Sequence, residues 1–150
     1  MTRRGACALA AIATCLTTMG CTGKDSPAPT TPAPQTKTLE VSYDDLLNQK
    51  QVRRDVSLAV GDTLQLTLGS NASTGYQWAA DARIGDSSVL TQTGHRTVAP
   101  TNAKPGASGT EVWTFSALKP GTTTVATSYG QPWPGGATDA WTFTADVTVS

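Results

Sequence analysis

From Leu39 to Val149 the dominant hydrophobic period of this chain is two, and that rhythm constrains the fold more than any other feature. Leu39, Val41 and Tyr43 alternate with polar residues, as do Val56, Leu58 and Val60, then Leu64, Leu66 and Leu68. Further on, Trp113, Phe115 and Ala117 alternate, and Trp141, Phe143, Ala145, Val147 and Val149 close the series. Alternation puts one side chain in two on a buried face, so these runs are half-buried strands. The only helical hint is YDDLLNQKQ, residues 43 to 51, short and without an evident cap. About 110 residues of strand pattern suffice for one domain core, and an all-β sandwich of about seven or eight antiparallel strands is expected.

The punctuation between strands is of two kinds that alternate along the chain. Gly61-Asp62, Gly85-Asp86 and Pro120-Gly121 are tight dipeptide turns, whereas residues 69 to 75, 99 to 109 and 130 to 138 are longer and rich in Gly, Pro, Ser and Asn. If successive strands reverse direction, all three longer loops fall at one end of an immunoglobulin-like sandwich. Binding residues concentrate on loops held by a rigid scaffold, so that end is the candidate functional surface.

In the first of these loops, Asn71 and Ser73 are suited to bonding nearby backbone, Gly75 permits positive φ, and Tyr76 and Trp78 read as strand residues that root the loop in the core. Asn71-Ala72-Ser73 is also a glycosylation sequon, to which the N-terminal segment ending in Thr17-Thr18-Met19-Gly20-Cys21, similar to a bacterial lipoprotein signal, gives little weight. The second loop holds Lys104-Pro105-Gly106-Ala107-Ser108-Gly109. The third, Gln131-Pro132-Trp133-Pro134, keeps a large aromatic between two prolines with nothing evident to bury it, and an exposed, stiffened Trp is a good binding anchor.

Together these segments resemble the chagasin-type inhibitors of papain-like cysteine peptidases. That family carries an Asn-Pro-Thr-Thr-Gly-(Phe/Tyr)-x-Trp loop, a Gly-rich loop and an Arg-Pro-Trp loop, in that order on an immunoglobulin-like fold. Here Asn71-Ala72-Ser73-Thr74-Gly75-Tyr76-Gln77-Trp78, Gly106-Ala107-Ser108-Gly109 and Gln131-Pro132-Trp133 match, over a resemblance running from about Thr38 to Ser150. The departures are Ala72 for proline, Ser73 for threonine and Gln131 for arginine. The resemblance implies that Asn71 to Tyr76 cover a peptidase nucleophile, that Gly106 to Gly109 and Gln131 to Trp133 grip the flanks, and that the inhibitor binds reversibly as a monomer without a cofactor. A membrane-anchored adhesion or binding module on the same sandwich is the alternative.

Other classes fit poorly. Net charge is zero, so no basic stripe is available for nucleic acid. His95 is the only histidine, no nucleophile elbow is present, and neither a catalytic triad nor a transition-metal site is expected from so few ligands. The chain is therefore not expected to be an enzyme.

Ahead of the domain, Arg3 and Arg4 precede the apolar run Ala6 to Leu16, and Thr17-Thr18-Met19-Gly20-Cys21 resembles the lipobox of bacterial lipoproteins, with Thr18 in place of the usual Leu. Cys21 is the last of three cysteines, so residues 22 to 150 hold no disulfide. The expected layout is a signal peptide over 1–20, a lipidated Cys21 with a Pro/Thr/Ser-rich linker to residue 37, and the domain over 38–150. The product would be exported and tied to the cell envelope by lipid alone. Extended polyproline at roughly 3.1 Å per residue would let that linker hold the domain on the order of 45 Å from the membrane.

Overall fold

The computed structural model describes residues 31–102 and 104–150. Nine strands, β1 (Thr36–Val41), β2 (Gln51–Leu58), β3 (Thr63–Ser70), β4 (Gln77–Trp78), β5 (Arg83–Ile84), β6 (Leu90–Val98), β7 (Gly109–Ala117), β8 (Gly121–Gly130) and β9 (Trp141–Val149), form two sheets. One sheet has the order β1-β3-β7-β6 and the other β2-β9-β8-β4, with β5 also paired to β8. The sandwich read from the alternation is present. Its outer pairs differ from the antiparallel expectation, because β1 runs parallel to β3 and β2 parallel to β9.

The core is the space between the sheets, filled by the alternating residues. Leu64, Leu66 and Leu68 of β3 lie beside Trp113 and Phe115 of β7 in one sheet, Phe143, Ala145 and Val147 of β9 belong to the other, and all join one core essentially inaccessible to water. At about 25 cal/mol per Å² of apolar surface removed from water, such side chains contribute roughly 1.5–3 kcal/mol each. Strand β8 buries Thr123, Val125, Thr127 and Tyr129 on its inner face, so its alternation is masked by threonine in the sequence.

Two local readings change. Tyr43 belongs to a short helix α1 (Tyr43–Asn48), not to β1, and the helix is capped: the Ser42 side chain accepts from the Asp45 amide at 3.1 Å. The start of α1 lies over Gly69, where a Cβ would come within 2.2 Å of the Tyr43 nitrogen, so a glycine is required in an otherwise bulky strand. Val60 lies in the β2–β3 turn and is exposed, so it does not continue the β2 alternation.

The tight turns close one end of the sandwich. Asp62 of the β2–β3 turn accepts from the Ala59 amide at 2.8 Å and from the Gln35 amide at 2.9 Å, and these bonds hold its carboxyl below the ordinary carboxylate range. The Gly61 amide bonds to Ala117 and the Leu118 amide to Val89, tying the turns of both sheets together. That leaves the opposite end for the longer loops.

Candidate functional site

The loop after β3 is a short finger. Asn71 opens a 3-10 turn over Ala72–Thr74, and Gly75 closes it at φ +76°, a left-handed conformation that a side chain disfavours. Asn71 Oδ1 accepts from the Ser73 amide at 3.2 Å and from the Ser73 hydroxyl at 2.6 Å, while the Thr74 hydroxyl donates to the Asn71 carbonyl at 2.6 Å. The hydroxyl at residue 73 thus serves the loop's own geometry. Ala72, Ser73 and Thr74 are the exposed tip.

Asn71 itself is 9% exposed. Its amide nitrogen donates to the Gly106 carbonyl at 3.1 Å, and its backbone N–H donates to the Tyr129 hydroxyl at 2.9 Å. Both ends of the side-chain amide are occupied, so Asn71 acts as the joint between the first and second loops. At the other root Tyr76 is half-buried, stacked on Tyr129 with ring centroids 5.6 Å apart and edge-on to Trp141. Trp78 is buried, and its indole N–H donates to the Gly69 carbonyl at 2.9 Å.

The second loop joins β6 to β7. Gly106 has φ +81° with open space around it, Ala107 is half-buried and Ser108 is exposed. Gly109 is already the first residue of β7, paired with Ser70, and a Cβ there would lie 2.4 Å from the Val98 carbonyl oxygen. The strands on either side of this loop close up at Gly109, so of residues 106 to 109 only Gly106 to Ser108 lie in the loop itself.

In the third loop Gln131 is turned inward. Its backbone N–H donates to the Ala137 carbonyl at 2.7 Å and its side-chain oxygen accepts from the Ala137 amide at 2.9 Å, closing the neck of the loop. The Gly136 amide bonds back to the Trp133 carbonyl at 3.0 Å. Pro132 and Trp133 project beyond this neck, and Trp133 is 48% exposed. The covered part of its ring lies on the finger: a Cβ on Gly75 would be 2.7 Å from the indole.

The three loops therefore meet at one end, with the finger in the middle, hydrogen-bonded to the second loop and in van der Waals contact with the third. None of Asn71 to Tyr76, Gly106 to Gly109 or Gln131 to Trp133 carries a charged side chain. A neutral, shaped edge of this kind suits a cleft it can fill by shape and backbone bonding. Among the described residues no group of three His, Cys, Asp or Glu is placed to hold a metal ion, and no helix is long and apolar enough to cross a membrane. Cys21 and the leader lie outside the described residues.

Glu111, which the loop motifs do not single out, lies directly beneath the finger and is 4% exposed. Its carboxylate accepts from the Ser70 hydroxyl at 3.0 Å and from the Trp78 amide at 3.2 Å, and it meets His95 Nε2 at 2.9 Å. Serine, acid and histidine thus adjoin one another, but in the wrong order for catalysis. The serine hydroxyl donates to the carboxylate and not to the imidazole, so the serine–histidine contact of a triad is absent.

Residues 57–147 match the family described as "Chagasin family peptidase inhibitor I42". This chain belongs to that family, which is one of peptidase inhibitors and not of enzymes. No protein of curated function matches the sequence. Two solved structures share the fold. The cysteine protease inhibitor EhICP2 from Entamoeba histolytica has a TM-score of 0.61 at 20% identity, with 80% of this chain and 100% of that chain covered. PbICP-C, solved in complex with falcipain-2, has a TM-score of 0.52 at 20% identity, with 77% and 98% covered.

Proposed function

We propose that this protein is a reversible, tight-binding inhibitor of papain-like cysteine peptidases that occludes the active-site cleft with its three-loop edge. The observation that carries the reading is the contact of the finger with both neighbouring loops, through Asn71 to Gly106 and Gly75 to Trp133. Loops fixed against one another before encounter lose little conformational entropy on binding, which favours affinity. EhICP2 is a cysteine protease inhibitor and PbICP-C was solved in complex with falcipain-2; the fold shared with them, together with this chain's own membership of a peptidase-inhibitor family, supports a cysteine peptidase as the target here.

In this arrangement Ala72 to Thr74 would lie over the catalytic cysteine, with Gly106 to Ser108 on one wall of the cleft and Pro132-Trp133 on the other. Asn71, Tyr76, Gly109 and Gln131 would hold those groups in place. An interface of standard size buries about 800 Å² on each partner. No covalent bond is required, and because the finger presents no scissile bond in substrate orientation the inhibitor survives. The domain takes in β1 from Thr36, two residues ahead of the boundary expected at 38, and stands on the linker before it, held outside the cytoplasm at the cell envelope by lipid on Cys21.

The test is titration of papain and several cathepsins with the purified chain. Stoichiometric, reversible inhibition with the inhibitor recovered intact is expected. Lack of inhibition across the panel at micromolar concentration would replace this reading with that of a generic envelope binding module. For the anchor, Cys21→Ala should move the expressed protein from the membrane fraction to the soluble one; an unchanged distribution refutes lipid attachment.

A further inference from the structure

The finger leaves one sheet at Ser70, the end of β3, and enters the other at β4, which holds Trp78. One oxygen, Glu111 Oε1, accepts from both: from the Ser70 hydroxyl and from the Trp78 backbone N–H. Glu111 stands on β7, two residues after Gly109, where the second loop ends. A single buried carboxylate therefore ties both roots of the finger to the strand that carries its neighbour.

The other oxygen, Oε2, meets His95 Nε2 from β6, and the imidazole lies against Trp113 with ring centroids 4.8 Å apart. His95 and Glu111 line a groove of about 600 Å³ that also includes Ala72, Gly75, Tyr76 and Trp133. No other charged side chain lines that groove, and Tyr76 is its only further ionisable group. A buried carboxylate needs every acceptor position used, and among the described residues the only ion-pair partner of Glu111 is this histidine.

We propose that Glu111 is a positioning residue for inhibition, its carboxylate setting the spacing of the two roots of the finger, and that His95 holds the second oxygen in whichever protonation state the imidazole adopts. Neutral imidazole protonated at Nε2 donates to Oε2, and so does imidazolium. This rests on the inhibitory reading above, in which the finger is the central element of the wedge.

The experiment uses the full chain and two independent readouts: hydrogen exchange at the Trp78 amide and across residues 71–76 in the free protein, and the inhibition constant against papain. Glu111→Ala should speed exchange at these amides and weaken inhibition, each by about tenfold or more, the size expected for loss of hydrogen bonds to a charged group. Should that variant fail to fold, Glu111→Gln decides the matter. Its amide oxygen can still accept from Ser70 and Trp78, but as a neutral and weaker acceptor, so both readouts should fall between wild type and Glu111→Ala, about fivefold from wild type.

Wild-type exchange in Glu111→Ala or, if that variant does not fold, in Glu111→Gln overturns the clamp. If the wild-type chain inhibits nothing while exchange responds as stated, the inhibitory reading fails and the clamp stands. If inhibition is present but unmoved by Glu111→Ala, the clamp fails and the inhibitory reading stands.

Discussion

At residue 72 the chain has an alanine where the resembling family pattern has a proline, and the local geometry shows what this substitution leaves open. Ala72 is the first residue of the 3-10 turn, a position where proline's fixed φ and missing N–H cost nothing, and Asn71 before it is extended at φ −128°, ψ 94°, as a residue preceding proline must be. Ala72→Pro should thus raise stability by about 0.4–1 kcal/mol by restricting the unfolded chain, and should tighten inhibition. Thermal unfolding and papain titration check both; a destabilised variant would mean that the turn cannot accept the ring. Asp62 supports a second residue-scale prediction. Backbone donors at Ala59 and Gln35 hold its carboxyl below the usual range, so its contribution is present above the unfolded carboxylate pKa and is lost as pH falls through the lower folded value. Between neutral pH and about pH 3, the melting temperature of wild type should accordingly fall further than that of Asp62→Asn. Parallel melting curves for the two proteins across that range would refute this.

Among the elements, the third loop answers how a segment with glutamine in place of arginine keeps its shape. Gln131 bonds across its neck to Ala137 in two places, which fixes Pro132-Trp133 without a charge. Trp133 in turn rests on Gly75, so the tips of the first and third loops form one unit. Trp133→Ala should weaken inhibition by roughly 2 kcal/mol, the usual size for a central aromatic anchor. Gly75→Ala should cost about 1–3 kcal/mol through strain at positive φ, plus the clash with the indole. In the Trp133→Ala background the clash term vanishes, so the two losses should sum to more than the double variant shows; strict additivity in a double-mutant cycle would show that the loops act independently. The elements also show where sequence patterns lose force. Leucine and aromatic alternation marks β3, β7 and β9 plainly. The inner face of β8 is half threonine, and β4 and β5 are two residues each, too short for any period to register. The parallel edges at β1 and β2 follow from long-range pairing, which no local window contains.

For the whole molecule, the three loop motifs are neutral although the chain carries 11 basic and 11 acidic residues, Lys104 being the charged residue of the second loop. With no charge among the site residues, steering by surface potential has little to act on. The association rate with a peptidase should change by less than about threefold between 0.05 and 0.5 M salt, in contrast to charge-steered complexes; a steep salt dependence would place Lys104, or charged groups outside the three loops, in the interface. The sandwich and its two ends, one of tight turns and one of loops, follow from alternation and turn chemistry alone, because strand period and Gly/Pro punctuation are local properties of the chain. So do the loop motifs and the exposure of Trp133, since a tryptophan between prolines has no strand in which to hide. What only tertiary structure decided is which site residues face outward and which brace. Asn71 and Gln131 turn inward because partners 35 and 6 residues away satisfy them, and Glu111 becomes the seat of the finger because folding brings Ser70, Trp78 and His95 around it. A buried polar group must find its partners wherever the fold supplies them, and their distance along the chain keeps that choice out of any local pattern.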